Sequence, residues 1–317
     1  MKYILSSVCL LSLSTSISAG ELYVQSGASG DCSAIAPCGV IQQAINVASA
    51  GDVINIGEGD YTENLTIPRD KAGLIIRGEG DDETRVISAG ADLLPKFAPA
   101  HAPADIIIDV FAPNVSISKL AVVHPEGIPT KRDIGFFFRP PAVNGRMHKC
   151  RIERQRTGEL LEPTTPGSRG VLVFRATGIE ISKNEFSGNY EDHIHLPTSA
   201  SLVEKNEIEG ATRIGIVVIQ ESETSLSVNN VIRANEVEKS VSDGIQIQGD
   251  NNLVSRNEVE ENGGIGIHLC GPTASPACVA PGGSATASNN LVKKNDLEDN
   301  ADGNIIDDGS GNILNNN

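Results

Sequence analysis

The pattern of apolar and polar positions changes sharply after the first twenty residues. One lysine, Lys2, precedes an apolar run from Tyr3 to Leu13, and small residues follow as far as Gly20. This layout predicts a signal peptide at 1–20 and export to the periplasm or the medium. The mature chain, 21–317, offers no run of about 20 apolar residues, so we expect no membrane span.

Downstream, an Asn–acid–apolar triplet recurs with a spacing near 22 residues. The triplets begin at Asn184, Asn206, Asn235, Asn257 and Asn295, which are 22, 29, 22 and 38 residues apart. Two further short runs of alternating apolar residues lie in each unit, bounded by Gly, Asn or Asp. Three strands per unit predict an all-β fold, the right-handed parallel β-helix, whose stacked coils lie about 4.8 Å apart and whose Asn side chains form a ladder.

The N-terminal part of the mature chain has a different pattern. Residues Val40 to Ala48 are patterned as a short amphipathic helix, which we expect to cap the open first coil. We predict a single β-helix domain over 21–317. It comprises the cap and first coils at 21–90, coils with long loops at 91–168, and regular repeats at 169–317.

Cysteine spacing predicts two local disulfides. Cys32 lies close to Cys38 in the sequence, and Cys270 lies close to Cys278. In an exported protein such pairs are typically oxidised, and buried reduced thiols are the alternative. Cys150 stands alone and is predicted to fill the core rather than to act as a nucleophile.

Charge and composition narrow the choice of partner. The formal net charge is −16, which disfavours binding to nucleic acid. Aromatic residues make up 3% of the chain and Trp is absent, which argues against stacking on neutral sugars. A cationic island between Lys131 and Arg156 holds eight basic residues against Asp133 and Glu153. We therefore expect an acidic polysaccharide as partner and predict that the island supplies Arg139, Arg146, Lys149 and Arg151 to bind it.

Four N-terminal segments carry a resemblance to a known superfamily. Gln42 to Asn46, Gly51 to Ile56, Gly59 to Glu63 and Ile76 to Gly80 resemble the first coils of pectin-lyase-like proteins, which include pectin methylesterases, polysaccharide lyases and alginate epimerases. Residues 180–317 look like the generic β-helix repeats of that superfamily. The resemblance implies the parallel β-helix fold.

The same resemblance gives less guidance on catalytic residues. Pectin methylesterases carry an Asp-Phe-Ile-Phe element, and the nearest match here is Asp192-His193-Ile194-His195, with no upstream Gln-Asp partner. Alginate epimerases carry an Asp-Pro-His element, and Asp192-His193 lacks its proline.

Alternation along the strands groups distant polar residues into a candidate site. Aligning Ile194 with Ile245 and Ile267 places three residues at one outward position of nearby coils, namely His195, Gln246 and His268. Asp192 and Asp243 would stand at the preceding corner, with Arg169 and Arg139 on neighbouring coils. In β-elimination or C5 epimerisation of a uronate, arginine neutralises the carboxylate while a base removes the C5 proton.

We assign catalytic roles to four residues, Asp192, His193, His195 and Arg169. The substrate-binding set is Arg139, Arg146, Lys149, Arg151, Tyr190, Asp243, Gln246 and His268, with Tyr190 as an alternative base. Other interpretations remain open: the histidines are solvated surface residues, and the aspartates cap turns. No metal site is assigned, because His193 and His195 lack a third ligand.

Three functions follow from these patterns. The first is an exported lyase or C5-epimerase of an acidic polysaccharide, the second a non-catalytic β-helix that binds glycan or a surface partner, and the third a pectin esterase-like hydrolase. No cofactor is assigned, although calcium is a candidate ion. We expect a monomer.

Overall fold

The fold is known from a computed structural model that describes residues 19–90, 92–93, 104–126, 132–155, 167–220, 227–271, 278 and 286–317. Within these residues three parallel β-sheets run along the molecule, and successive strands of the chain go to different sheets. Each coil contributes one strand to each sheet. This architecture confirms the predicted right-handed parallel β-helix. The predicted signal peptide at 1–20 lies almost wholly outside the described residues.

The first sheet has eleven strands, in the spatial order of the chain. They are β1 Glu21–Val24, β2 Val53–Ile56, β5 Ile75–Arg77, β9 Ser116–Ser118, β12 Arg146–His148, β15 Glu180–Ser182, β18 Leu202–Glu204, β21 Val231–Arg233, β24 Leu253–Ser255, β27 Leu291–Lys293 and β30 Ile313–Asn315.

The second sheet has nine strands. They are β3 Gly59–Thr62, β6 Thr84–Ile87, β10 Ala121–His124, β13 Arg151–Arg154, β16 Glu185–Gly188, β19 Glu207–Glu209, β22 Glu236–Glu238, β25 Glu258–Glu260 and β28 Asp296–Glu298.

The third sheet has ten strands, one of which, β7 Asp92–Leu93, pairs antiparallel with β8. The others are β4 Leu65–Ile67, β8 Ala104–Val110, β11 Arg132–Phe138, β14 Arg169–Val173, β17 Asp192–Leu196, β20 Ile214–Ile219, β23 Ile245–Gln248, β26 Ile267–Leu269 and β29 Ile305–Asp307.

Aliphatic side chains fill the inside of the coils. In the first sheet, for example, Ile54, Ile76, Ile117, Met147 and Ile181 occupy one register on successive strands and are all buried. Because alternate side chains leave opposite faces of a strand, one inward position per strand is enough to build a continuous apolar column. The buried apolar cluster extends from Val24 to Val292.

Buried asparagines form the ladder that the sequence predicts. The Nδ2 atom of Asn184 donates to Oδ1 of Asn206, and the contact repeats to Asn235, Asn257 and Asn295 at 2.9 to 3.0 Å. A second ladder at another corner joins Asn230, Asn252, Asn290 and Asn312 at 3.0 to 3.1 Å. Each amide satisfies a donor and an acceptor that burial would otherwise leave unpaired.

A helix and two disulfides also appear as predicted. The helix α1, Ile41–Val47, buries one apolar face, and Glu63 accepts hydrogen bonds from its first two backbone N–H groups at 2.8 and 3.0 Å. Cys32 is bonded to Cys38 and Cys270 to Cys278. Cys150 is a buried free thiol, as expected.

Candidate functional site

Strand register in the third sheet confirms the alignment on which the candidate site depends. Ile194 pairs with Ile216, Ile216 with Ile245, and Ile245 with Ile267. The next residue of each strand forms one outward row, which contains His195, Val217, Gln246 and His268. The coil of β20 therefore separates the two polar halves of the row with an apolar residue.

The outward row is covered rather than open to solvent. His195 retains 4% of its exposure, Gln246 1% and His268 1%. The interpretation of His193 and His195 as solvated surface histidines is therefore wrong. A ligand can reach this row only at its less buried edges.

The most highly charged group at this face surrounds one end of the row. We call it the Asp192 cluster and define it as Arg169, Glu191, Asp192, His195 and Arg213. Oδ2 of Asp192 lies 3.0 Å from Arg169 Nε, 2.8 Å from His195 Nδ1 and 2.5 Å from Arg213 Nη2. Arg169 Nε also lies 3.0 Å from His195 Nδ1. Two arginine nitrogens and one ring nitrogen of His195 thus converge on a single carboxylate oxygen.

The second carboxylate oxygen of Asp192 is in a different situation. Asp192 is fully buried, and among the described residues its Oδ1 has no hydrogen-bond partner. Burial alone would raise the pKa of Asp192, but Arg169, His195 and Arg213 outweigh it and hold this pKa well below its usual range. The carboxylate is therefore ionised at neutral pH and has a free acceptor atom.

The fold brings the Asp192 cluster together through adjacent coils. Arg169 pairs directly with Asp192 across β14 and β17, and Ile214, the residue after Arg213, pairs with Asp192 on the other side. Glu191 links the two arginines, at 3.1 Å from Arg169 Nη1 and 3.1 Å from Arg213 Nε.

Sequence reasoning identified Asp192, His195 and Arg169 but missed Glu191 and Arg213. The available signal for Arg213 was its distance of 21 residues from Asp192, close to one coil.

His193 lies inside the β-helix, which differs from the role assigned to it. Its ring contacts Phe186 and Tyr190 edge-on at 5.9 Å, and its Nε2 lies 2.9 Å from the carbonyl oxygen of Glu209. Burial lowers the pKa of His193 to about 4. Both His193 and Ile194 point inward, so alternation fails at this position, and a histidine enclosed in the core cannot contact a polysaccharide.

Tyr190 is likewise enclosed. Its side chain is fully buried, its hydroxyl lies 2.7 Å from Nδ1 of His124, and burial raises its pKa well above the usual value. A phenol in this environment stays protonated, so Tyr190 is a poor candidate for the base.

The other half of the row has a charged group of its own. Oδ2 of Asp243 lies 3.0 Å from His268 Nδ1 and 3.2 Å from Gln246 Nε2, and Asp308 lies 3.4 Å from His268 Nε2. Burial alone would lower the pKa of His268, but the contacts with Asp243 and Asp308 outweigh it and raise this pKa. The structure therefore brings Asp243, Gln246 and His268 together, two to three coils away from Asp192.

The cationic island does not gather at this face. Arg146 belongs to the first sheet, where it pairs with Glu180 at 3.0 Å, and Lys149 follows the same strand. Arg151 belongs to the second sheet and pairs with Asp82 at 2.8 Å. The strands β12 and β13 point these residues away from the third sheet, which contradicts the predicted grouping.

Arg139 alone of this set follows a strand of the third sheet. It forms a buried ion pair with Asp109, with 2.8 Å between Nε and Oδ1, and its guanidinium lies 4.4 and 4.7 Å from the rings of Phe111 and Phe137. Its bonding capacity is thus largely used within the protein.

Among the described residues no helix could cross a bilayer.

Comparisons with known proteins identify the fold. The model of the family described as periplasmic copper-binding protein (NosD) matches residues 142–275. No curated protein sequence matches the chain. The two disulfides are typical of proteins that fold in an oxidising compartment.

Solved structures are similar in fold at low identity. A pectin methylesterase from carrot is 11% identical, with 95% of this chain and 90% of that chain covered and a TM-score of 0.56. The Agl-KA catalytic domain is 14% identical, with 87% of this chain and 50% of that chain covered and a TM-score of 0.60. At these identities the similarity shows a shared β-helix fold.

Proposed function

We propose that this exported β-helix protein acts on an acidic polysaccharide through lyase or C5-epimerase chemistry at the Asp192 cluster. The observation that carries the proposal is the convergence of two arginines and a histidine on one fully buried carboxylate. Burying these charged side chains costs desolvation energy, which an apolar group of the same size would not cost. Clusters of ionisable residues with shifted pKa values are frequent at functional sites.

The chemistry begins with the uronate carboxylate. Its negative charge opposes removal of the C5 proton, so a cation must neutralise it before a base can act. Arg213 is the best placed to do so, because its side chain is 34% exposed whereas that of Arg169 is 12% exposed. Arg169 would then hold Asp192 and His195 in position.

His195 is the proposed base. Asp192 contacts its Nδ1 at 2.8 Å and would stabilise the imidazolium formed when the ring accepts the C5 proton. Protonation of C5 by a water molecule on the opposite face gives the epimer, with the first proton left on His195. Departure of the glycosidic oxygen from C4, with a proton from water, forms the C4–C5 double bond and gives elimination.

Esterase chemistry is less well supported than proton abstraction. The structural similarity to a protein named pectin methylesterase is compatible with an acidic substrate. However, Asp192 is flanked across the sheet by Arg169 and Ile214, so the neighbouring coils offer no second carboxylate at this register.

The name of the matching family includes copper binding, which the described residues support weakly. Thiolates are ligands that copper favours, but Cys270 and Cys278 are joined in a disulfide.

A second candidate function is polysaccharide binding without catalysis. It is favoured by the burial of His195, Gln246 and His268, which limits access to the row. Binding at the edge of the site would then involve the exposed part of Arg213 without proton transfer.

A substrate panel tests the proposal. Purified protein is incubated with pectate, alginate and glycosaminoglycans, each with and without calcium chloride, while the absorbance of unsaturated uronides and the C5 configuration of the products are followed. We expect one acidic polysaccharide to be cleaved or epimerised, because the cluster supplies both a base and a neutralising cation. Binding without turnover on every substrate would favour the second candidate, and neither binding nor turnover would refute both.

A further inference from the structure

A buried polar group lies at the corner between the second and third sheets, away from the outward row. His124 is the last residue of β10, and Asp105 and Asp133 are the second residues of β8 and β11, which pair side by side. One potential ligand atom from each of the three lies within 4.8 Å of the others. All three residues are more than nine-tenths buried.

The ring of His124 is oriented by the residues around it. The hydroxyl of Tyr190 lies 2.7 Å from Nδ1, which fixes the imidazole plane. The other ring nitrogen, Nε2, points toward Asp105, at 3.3 Å from its carbonyl oxygen and 3.9 Å from Oδ2.

The two carboxylates are also held by neighbours. Asn64 Nδ2 donates to Asp105 Oδ1 at 2.8 Å, and Ser88 Oγ donates to Oδ2 at 2.5 Å. Arg154 Nε donates to Asp133 Oδ2 at 2.6 Å. Outer groups that orient a histidine and its carboxylates in this way are typical of metal sites.

Two carboxylates stand together at this corner. Among the described residues Asp133 pairs with Arg154, whereas Oδ2 of Asp105 lies 3.9 Å from His124 Nε2, and both aspartates are buried. Buried carboxylates are costly unless they are paired or coordinate a metal ion. A cation bound between the two carboxylates would stabilise both.

We propose that Asp105, His124 and Asp133 bind one divalent cation. One imidazole and two carboxylates form a ligand set of nitrogen and oxygen that suits zinc and manganese ions. The three ligands come from β8, β10 and β11, so the ion would join two sheets and two neighbouring coils.

Calorimetric titration tests this inference without any activity assay. Full-length protein is treated with a chelator, dialysed, and titrated separately with zinc chloride, manganese chloride and calcium chloride. We expect about one zinc or manganese ion per chain and a higher melting temperature in its presence, because the ion binds the folded state. His124→Gln should abolish the saturable binding.

His148→Gln is the matched control, because His148 lies on β12 of the first sheet and is only partly buried. It should bind the ion like the unaltered protein. Tyr190→Phe keeps all three ligands but releases His124, and should weaken binding about 10- to 100-fold. This variant decides the question if His124→Gln does not fold. Equal binding by Tyr190→Phe and the control, or no saturable binding by the unaltered protein, would overturn the inference.

Discussion

At the scale of single residues, Asp192 determines how the candidate site is held together. It is enclosed by β14, β17 and the start of β20, and it balances the charge of Arg169 and Arg213. A buried carboxylate with such partners stabilises the fold as well as preparing the site. Its contribution can be measured without knowing the substrate.

Asp192→Asn should lower the free energy of unfolding at pH 7 by about 2 to 3 kcal/mol, because it removes the buried negative charge that balances Arg169 and Arg213 and leaves Glu191 alone to pair with both. The pKa of Asp192 lies well below its ordinary value, so its contribution is present above about pH 4 and is lost as the pH falls further. Urea denaturation at pH 7 and pH 3 measures both effects, and the difference from the unaltered protein should shrink at pH 3.

The control for that experiment is Asp308→Asn, whose side chain is 44% exposed. It should cost less than about 1 kcal/mol, as exposed pairs do. Equal losses in the two variants, or a loss at Asp192 that is the same at both pH values, would contradict the charge-pairing argument.

Single residues also show where sequence reasoning reaches its limit. Asp192, His195 and Arg169 could be predicted because strand alternation and the coil period fix their register. His193 could not, because the second and third residues of β17, His193 and Ile194, both point inward and alternation is interrupted there. Arg213 precedes its strand, so its spacing of 21 residues from Asp192 was the signal that marked it, and strand alternation gave none.

At the scale of structural elements, the asparagine ladder explains why the coils stay in register. Asn235 accepts hydrogen bonds at Oδ1 from the backbone and side chain of Asn206, and its Nδ2 donates to Asn257 and to the carbonyl oxygen of Val203. The ladder was predictable from sequence because one residue type recurs in one context. The period alone could not reveal the second ladder, which has fewer members in the described chain.

Asn235→Ala should destabilise the protein by about 2 to 4 kcal/mol, because it leaves buried donors on Asn206 and a buried carbonyl without partners. Asn46→Ala, at an exposed position of α1, should change stability by less than about 0.5 kcal/mol. Chemical denaturation of both variants measures the contrast. A loss at Asn235 no larger than that at Asn46 would show that the ladder does not stabilise the stack.

At the scale of the whole molecule, the repeat places charged residues that are close in sequence on three different sheets. A cationic island that is continuous in sequence is divided, so that Arg146 and Arg151 lie on different sheets. Residues far apart in sequence, such as Arg169 and Arg213, meet instead. The fold and the alignment of the outward row were therefore predictable from the 22-residue period. The positions of the basic residues between Lys131 and Arg156 were not, because the sequence there does not follow that period.

The central claim is that His195 in the Asp192 cluster removes the C5 proton of a uronate. The most direct measurement is deuterium incorporation at C5 of acidic oligosaccharides in deuterated water, followed by nuclear magnetic resonance. The unaltered protein and His148→Gln should both exchange this proton on one substrate, and His195→Gln should do so at least about 100-fold more slowly. Exchange by His195→Gln at the rate of the unaltered protein, or no exchange by the unaltered protein on any uronate that it binds, would contradict the claim.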